Sequence, residues 1–246
     1  MAHTLWRCEW IRAFLARWPA DCPLCGSRVC GASLCPVCAG HVRRSLETGG
    51  ARCGRCALVL DPDGTCHDCS ALTPCFDQVV IAFDYAFPGT LLIHQLKRQR
   101  RVMVAKTAAL MLAAQARASM MALASDTILL PLPSSRAAIL ERGFSPAAEI
   151  ARHLAVLLGL QVRNTVLFRR HESAPQKSLG RYQRIKGSEG LYGCHVNLEG
   201  RSVVIVDDVM TTGATLNGAA LAVRQAGARS VCGLVLARTP LRERYR

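Results

Sequence analysis

Nine consecutive residues, Asp207-Asp208-Val209-Met210-Thr211-Thr212-Gly213-Ala214-Thr215, set two carboxylates beside hydroxyls and small side chains. They directly follow Val203-Val204-Ile205-Val206, a continuous β-branched run of the kind a central parallel strand requires. Ligands of open α/β sheets bind outside the carboxyl ends of such strands. Backbone N–H groups of Thr212, Gly213 and Ala214, with the threonine hydroxyls of Thr211, Thr212 and Thr215, can cradle a phosphate at the positive end of a following helix. Gly213 has no Cβ to block a close approach. The acidic pair repels phosphate but suits sugar hydroxyls or a bound Mg²⁺. Phosphate and diol side by side point to a ribose 5-phosphate.

A second chemistry lies in the cysteines. Cys22, Cys25, Cys35 and Cys38 form C-x2-C-x9-C-x2-C, and Cys53, Cys56, Cys66 and Cys69 repeat that spacing 31 residues later. Two-residue gaps let paired thiolates converge on one ion, and Zn²⁺ takes four such ligands tetrahedrally. Redox chemistry and disulfides are the alternatives for CxxC pairs, but neither accounts for the same four-point pattern occurring twice. Eight cysteines make two four-sulfur sites, sequential or cross-braced; spacing leaves both arrangements open. Cys22-Pro23-Leu24-Cys25-Gly26 and Cys53-Gly54-Arg55-Cys56 carry Pro or Gly at the turns that knuckles need. A segment of about 55 residues with few large apolar side chains cannot hold itself together, so metal would supply its folding energy. Cys30 and Cys75 lie close enough to substitute as ligands. Cys8, Cys194 and Cys232 read as small hydrophobes.

These groups need elements to position them. Val79 to Tyr85 reads as a strand, Met103 to Ala124 as a helix, and Ile128 to Leu132 as a buried strand. Ser145 as N-cap and Pro146 at the first helical position open a helix reaching about Leu158. A helix over about Ala214 to Ala226 closes at Gly227, and Val231 to Ala237 is a further strand. Strand–helix–strand order with short connections predicts an α/β fold with a parallel sheet. Near the start, Trp6, Trp10, Phe14 and Trp18 recur at helical spacing and predict a short amphipathic helix over residues 1–20. Arg7, Arg12 and Arg17 interrupt each apolar stretch there, so no secretory signal is expected. The compartment is then reducing and cytoplasmic, where structural disulfides are rare.

The 246 residues carry 31 Lys and Arg against 17 Asp and Glu, a net charge of +14. Half the residues are apolar, which excludes low-hydrophobicity disorder. The longest apolar candidate, Met103 to Ala124, is broken by Lys106, Gln115 and Arg117, so no membrane span is expected. Residues 1–75 hold 8 basic and 6 acidic side chains, and residues 76–246 hold 23 and 11. The basic character therefore belongs to the second part of the chain. Lys97, Arg98, Arg100 and Arg101 cluster there, as do Arg169, Arg170, Lys177, Arg181, Arg184 and Lys186. Nucleic acid would account for them through counterion release, pyrophosphate for a few. Arginine abundance in a GC-rich genome would leave a solvated basic surface with no partner.

The string Val203 to Thr215 resembles the phosphoribosyl pyrophosphate (PRPP) motif of type I phosphoribosyltransferases. With the cysteine knuckles, the chain from about Cys22 to Arg238 resembles the ComF family of bacterial competence proteins. Further matching segments are the Lys97 region, Leu130-Pro131-Leu132-Pro133, Arg142-Gly143-Phe144, and Gln176 with Leu179 and Arg184. The chain departs from the family where Ser145-Pro146 replace Asn-Gln, and at Gly187 in place of Asn. The resemblance implies a phosphoribosyltransferase-like parallel sheet flanked by helices over 76–246, preceded by a zinc module over 21–75. It implies that Asp207 and Asp208 face ribose hydroxyls and Mg²⁺, and that Thr211, Thr212, Gly213, Ala214 and Thr215 hold the 5-phosphate. Pro131 to Arg136 would approach the pyrophosphate with Lys97 and Arg142, and Arg169 to Tyr192 would form a hood. The implied role is handling of incoming single-stranded DNA among other competence proteins, with Arg98, Arg100, Arg101, Arg169, Arg170, Lys177 and Arg181 as DNA contacts. A phosphoribosyltransferase acting on a small acceptor, and a DNA-binding adaptor without catalysis, are the other readings; no general base is evident.

Overall fold

A computed structural model describes residues 19–31, 33–119, 121, 123–171 and 190–241. Of the helix expected over 1–20, residues 1–18 lie outside the described residues, and Pro19 opens a short strand, β1 (Pro19–Asp21), paired antiparallel with β2 (Arg28–Cys30). Helices α1 (Pro36–Glu47) and α2 (His67–Ala71) each start after a cysteine, Cys35 and Cys66. The chain then enters a five-stranded sheet built from β3 (Gln78–Asp84), β4 (Ile128–Pro131), β5 (Gln161–Val162), β8 (Ser202–Met210) and β9 (Ser230–Arg238). Its order is β3-β9-β8-β4-β5, and every pairing is parallel. A separate antiparallel hairpin, β6 (Leu167–Arg169) and β7 (Tyr192–Cys194), stands beside it.

Alternation along the strands sorts their side chains into two cores. Val80, Ala82, Leu129, Val204, Val206 and Leu234 face helices α3 (Gly89–Lys97), α4 (Val104–Ala118) and α6 (Pro146–Leu158), which contribute Leu92, Leu96, Leu112, Ile150 and Leu154. Val79, Ile81, Val203, Ile205 and Val235 face the opposite way, onto α7 (Ala214–Gln225), the hairpin and the second cysteine group. A parallel sheet covered on both faces must be apolar on both, which explains the unbroken Val203–Val206 run. Cys56, Leu58 and Cys66 belong to that second core together with Val79, Ile205 and Leu216.

Three elements differ from their expected bounds for local reasons. Helix α4 stops at Ala118 rather than Ala124: the Ser119 hydroxyl donates to the Ala116 carbonyl (3.1 Å) and Met121 N–H folds back to the same oxygen (3.2 Å). Between β4 and α6 lies a helix without a periodic apolar signal, α5 (Arg136–Arg142), none of whose residues is buried. It forms on its caps: Ser135 accepts from Ala138 N–H, and Gly143 ends it at φ +84°. Strand β8 runs through Asp207 and Asp208 to Met210 instead of ending at Val206, because β9 continues to pair with it as far as Met210↔Arg238. Helix α6 has the expected cap, Ser145 accepting from Ala148 N–H with Pro146 in the first turn.

Candidate functional site

The acidic pair emerges where two strands part. Strand β4 pairs with β8 only to Pro131↔Val206, and Leu132 N–H makes the last bond across, to the Val206 carbonyl (2.9 Å). From β4 the chain passes outward to β5, and from β8 to β9 on the other side. Such a reversal opens a crevice at the carboxyl ends of the strands. Asp207 and Asp208 occupy β8 at that point, and Pro131 to Arg136 leave β4 beside it.

Asp208 is buried, with 8% of its surface exposed. Its Oδ1 lies 2.9 Å from Lys97 Nζ, in the last turn of α3. Asp207 accepts the Asp208 amide on Oδ1 at 2.8 Å. Burial and the neighbouring Asp208 carboxylate push the Asp207 carboxyl up to about 8, against the attraction of Lys97. Of the pair, then, Asp208 is held by the lysine and Asp207 keeps its proton near neutrality. Tyr192 on β7 is buried, with no hydrogen-bond partner for its hydroxyl among the described residues. Burial pushes it up to about 12, with Arg169 opposing and Asp207 adding to the shift.

Past Met210 the chain makes a short loop into α7. Gly213 sits at φ +83°, a left-handed conformation that glycine adopts without strain, and no side chain caps the helix from that position. The Thr212 hydroxyl accepts from Ala214 N–H (3.3 Å) and Asn217 N–H closes on the Gly213 carbonyl (2.8 Å). Thr211 and Thr215 are exposed, Thr212, Gly213 and Ala214 buried. Thr211 to Gly213 thus lead from the strand that carries the two carboxylates into the start of a twelve-residue helix, where amides lack intrahelical partners.

Behind this loop lies a residue that sequence reasoning missed. Arg238, the last residue of β9, is fully buried. Its Nη1 donates to the carbonyls of Met210 and Thr211, its Nε to the Cys56 carbonyl (3.1 Å), and its Nη2 to Asp68 Oδ2 (2.5 Å). Removing one partner of a buried pair leaves an uncompensated charge, at a cost of about 3–5 kcal/mol. The only sequence signal was an arginine ending an otherwise apolar strand. Other ties missed for lack of any motif are Arg52 bidentate to Asp84 (3.0 and 2.7 Å), Gln95 to the Pro23 carbonyl (2.6 Å) and Asn217 accepting from Cys75 N–H (2.6 Å).

The cysteines resolve into two sequential groups rather than a cross-brace: Cys22, Cys25, Cys35 and Cys38, then Cys53, Cys56, Cys66 and Cys69, with the Sγ atoms of each group all within 4.8 Å of one another. Sulfur separations are 3.6 Å for Cys25–Cys35, 3.8 Å for Cys53–Cys69 and 3.4 Å for Cys56–Cys66. A tetrahedron with Zn–S bonds of ~2.3 Å has edges of ~3.8 Å, so the donor set fits that ion. Amides already point at the sulfurs, from Cys35 to Cys22 and from Cys38 to Cys35, each at 3.4 Å. Ser27 beside Cys25 brings that thiol down to about 6. The Cys69 thiol, the Leu58 amide and Arg238 bring Cys56 down to about 5 despite its burial. Neither Cys30 nor Cys75 joins a group, and Cys194 and Cys232 are half-buried.

The remaining candidates scatter. Arg142 ends α5, and among the described residues it pairs with neither aspartate. Arg98, Arg100 and Arg101 form an exposed turn after Lys97, with Arg100 donating to the Glu141 carbonyl (2.6 Å). Arg169 and Arg170 lie on the hairpin side, Arg170 donating to the Tyr192 carbonyl (3.1 Å). Lys177 and Arg181, with most of the expected hood, lie outside the described residues.

Residues 137–244 match the phosphoribosyl transferase domain. The chain is 30% identical over 211 residues to DNA utilization protein YhgH of Salmonella typhimurium, covering 84% of this chain and 90% of that one. It is 28% identical over 185 residues to Competence protein F of Haemophilus influenzae, covering 73% and 81%. The chain belongs to the ComF family. Among solved structures, hypoxanthine phosphoribosyl transferase from Trypanosoma cruzi is 18% identical over 55% of this ComF-family chain and 62% of that one, with a TM-score of 0.33. The match to the domain begins inside α5 and takes in β8, the loop and β9, so the β8 side of the crevice lies within the matched residues of this ComF-family protein, while β4 and Lys97 precede them.

Proposed function

We propose that this ComF-family protein binds PRPP with Mg²⁺ in the crevice between β4 and β8, holds one zinc ion in each cysteine group, and handles single-stranded DNA in the cytoplasm. The observation that supports the first part is the Lys97–Asp208 pair on β8, the strand that runs directly into the Thr211–Thr215 loop. The amides from Thr212 to Ala214 and the threonine hydroxyls receive the 5-phosphate, and Asp207 and Asp208 receive the ribose hydroxyls. Both carboxylates can hold Mg²⁺, which neutralises charge between them and a pyrophosphate. Lys97 then stands at the pyrophosphate side, where a cation on a flexible stem suits a polyanion. Asp207, protonated near neutrality, gives up that proton when it takes a cation or a sugar hydroxyl.

The cysteine groups serve structure: residues 21–75 act as a zinc module docked on the sheet domain of 76–246. The DNA part rests on what the relatives are named for and on the exposed arginines beside Lys97. No described helix is long and apolar enough to cross a membrane. Thermal unfolding tests the ligand. PRPP with Mg²⁺ at saturating concentration raises the midpoint, and Mg²⁺ with inorganic phosphate at the same concentration does so far less. Equal shifts with both would reduce the site to a general anion pocket.

A further inference from the structure

We infer that Arg238 is a positioning residue through which the second cysteine group, and only that one, sets the conformation of the phosphate loop. One guanidinium is bonded to both ends of this connection. On the loop side it takes the carbonyls of Met210 and Thr211, the two residues immediately before Thr212-Gly213. The Met210 carbonyl also accepts from the N–H of Thr239, the residue just past β9, at 2.9 Å. On the metal side it takes the Cys56 carbonyl and reaches Asp68, which sits between Cys66 and Cys69 on α2. Arg238 Nη2 also approaches Cys56 Sγ at 3.9 Å.

Both charges are removed from water, with Arg238 0% and Asp68 2% exposed. A buried pair tolerates little displacement, because either charge alone is strongly unfavourable there. The position of Asp68 in turn depends on its helix of five residues, whose N-cap is Cys66 and which contains Cys69. A helix that short is not stable alone. A metal held by Cys53, Cys56, Cys66 and Cys69, as proposed above, would therefore fix where Asp68 stands, while Asp68 holds the guanidinium and the guanidinium holds two loop carbonyls. Among the described residues the first cysteine group makes no hydrogen bond to Arg238, Met210 or Thr211. It meets the sheet domain through Gln95 of α3, which donates to the Pro23 carbonyl, and through α1, where the Ser45 hydroxyl accepts from Asp84 N–H (3.0 Å).

This goes beyond PRPP binding and is read without ligand, so a protein that bound no PRPP would still test it. Hydrogen exchange by mass spectrometry is followed for a peptide spanning 207–217 and for one within α6, in full-length protein whose zinc content is measured in parallel. In Cys53→Ser, with one zinc, exchange over 207–217 accelerates about tenfold while α6 is unchanged. In Cys25→Ser, also with one zinc, both peptides match wild type. Asp68→Asn, retaining two zinc ions, reproduces the effect of Cys53→Ser and covers the case in which that variant does not fold. Chelation of the Cys25→Ser protein then removes the second metal and accelerates the loop, with no substitution near Arg238. Unchanged loop exchange in Asp68→Asn or after that chelation, equal acceleration in α6, or acceleration by Cys25→Ser alone would each overturn the inference.

Discussion

Lys97 and Asp208 meet at 2.9 Å although 111 residues separate them in sequence, and their pairing joins the end of α3 to the crevice face of β8. The pair leaves Asp207 to carry the burial cost alone, since its neighbour's charge is matched and its own is not. This division of labour between two adjacent carboxylates underlies most of what can be tested.

Lys97→Met removes the cation and keeps the length of the stem. PRPP affinity is expected to fall by about tenfold to a hundredfold, the loss of one or two charge-assisted hydrogen bonds. Equilibrium dialysis with Mg²⁺ present reads it. An unchanged affinity would mean that Lys97 does no more than neutralise Asp208.

Asp207→Asn is expected to stabilise the ligand-free protein while abolishing PRPP binding. A carboxyl raised from 3.8 to about 8 on folding contributes full stability below pH 3.8, and that stability drains away as pH climbs through 8. The amide does not titrate, so the variant's advantage grows from pH 5 to pH 8.5, reaching roughly 1 kcal/mol or more. Calorimetric melting across that range checks the sign. A variant equal to wild type at both ends would show Asp207 to be unstrained.

Much of this site was legible in the residues. The Val203–Val206 run and the Asp207–Thr215 string announce a central strand and a small-residue loop opening a helix, because strand burial and helix-end geometry both depend on local residue type. Cysteine spacing announced two four-sulfur groups for the same reason. What spacing could not convey was their pairing in space, which the sequential grouping now resolves, or that Cys56 and Cys66 share a core with Ile205. The continuation of β8 through Asp208 was hidden as well: it is imposed by β9, a partner far along the chain. Arg238, Asp68 and Arg52 carry no motif at all, since a long-range ion pair leaves no local pattern.

Purified protein is expected to hold two zinc ions per chain, measured by elemental analysis. Stripping both with a strong chelator will lower the melting midpoint by more than ten degrees or so, because the knuckles have little apolar core to fall back on. A metal-free preparation with an unchanged midpoint would assign the cysteines another role.

Single-stranded DNA binding is expected to weaken steeply with salt, and Arg98→Ala with Arg100→Ala and Arg101→Ala to reduce the slope of log affinity against log salt by about 2. Fluorescence anisotropy of a labelled oligonucleotide gives both values. Affinity independent of salt, or identical in the triple variant, would move DNA contact away from this turn.

The most direct measurement is calorimetric titration of PRPP with Mg²⁺ into wild type and into Asp207→Ala/Asp208→Ala. Binding by wild type with a stoichiometry of one, lost in a double variant that still folds, is the expected result. Binding retained by the variant, or no binding by wild type at millimolar PRPP, would contradict a phosphoribosyl site in the crevice between β4 and β8.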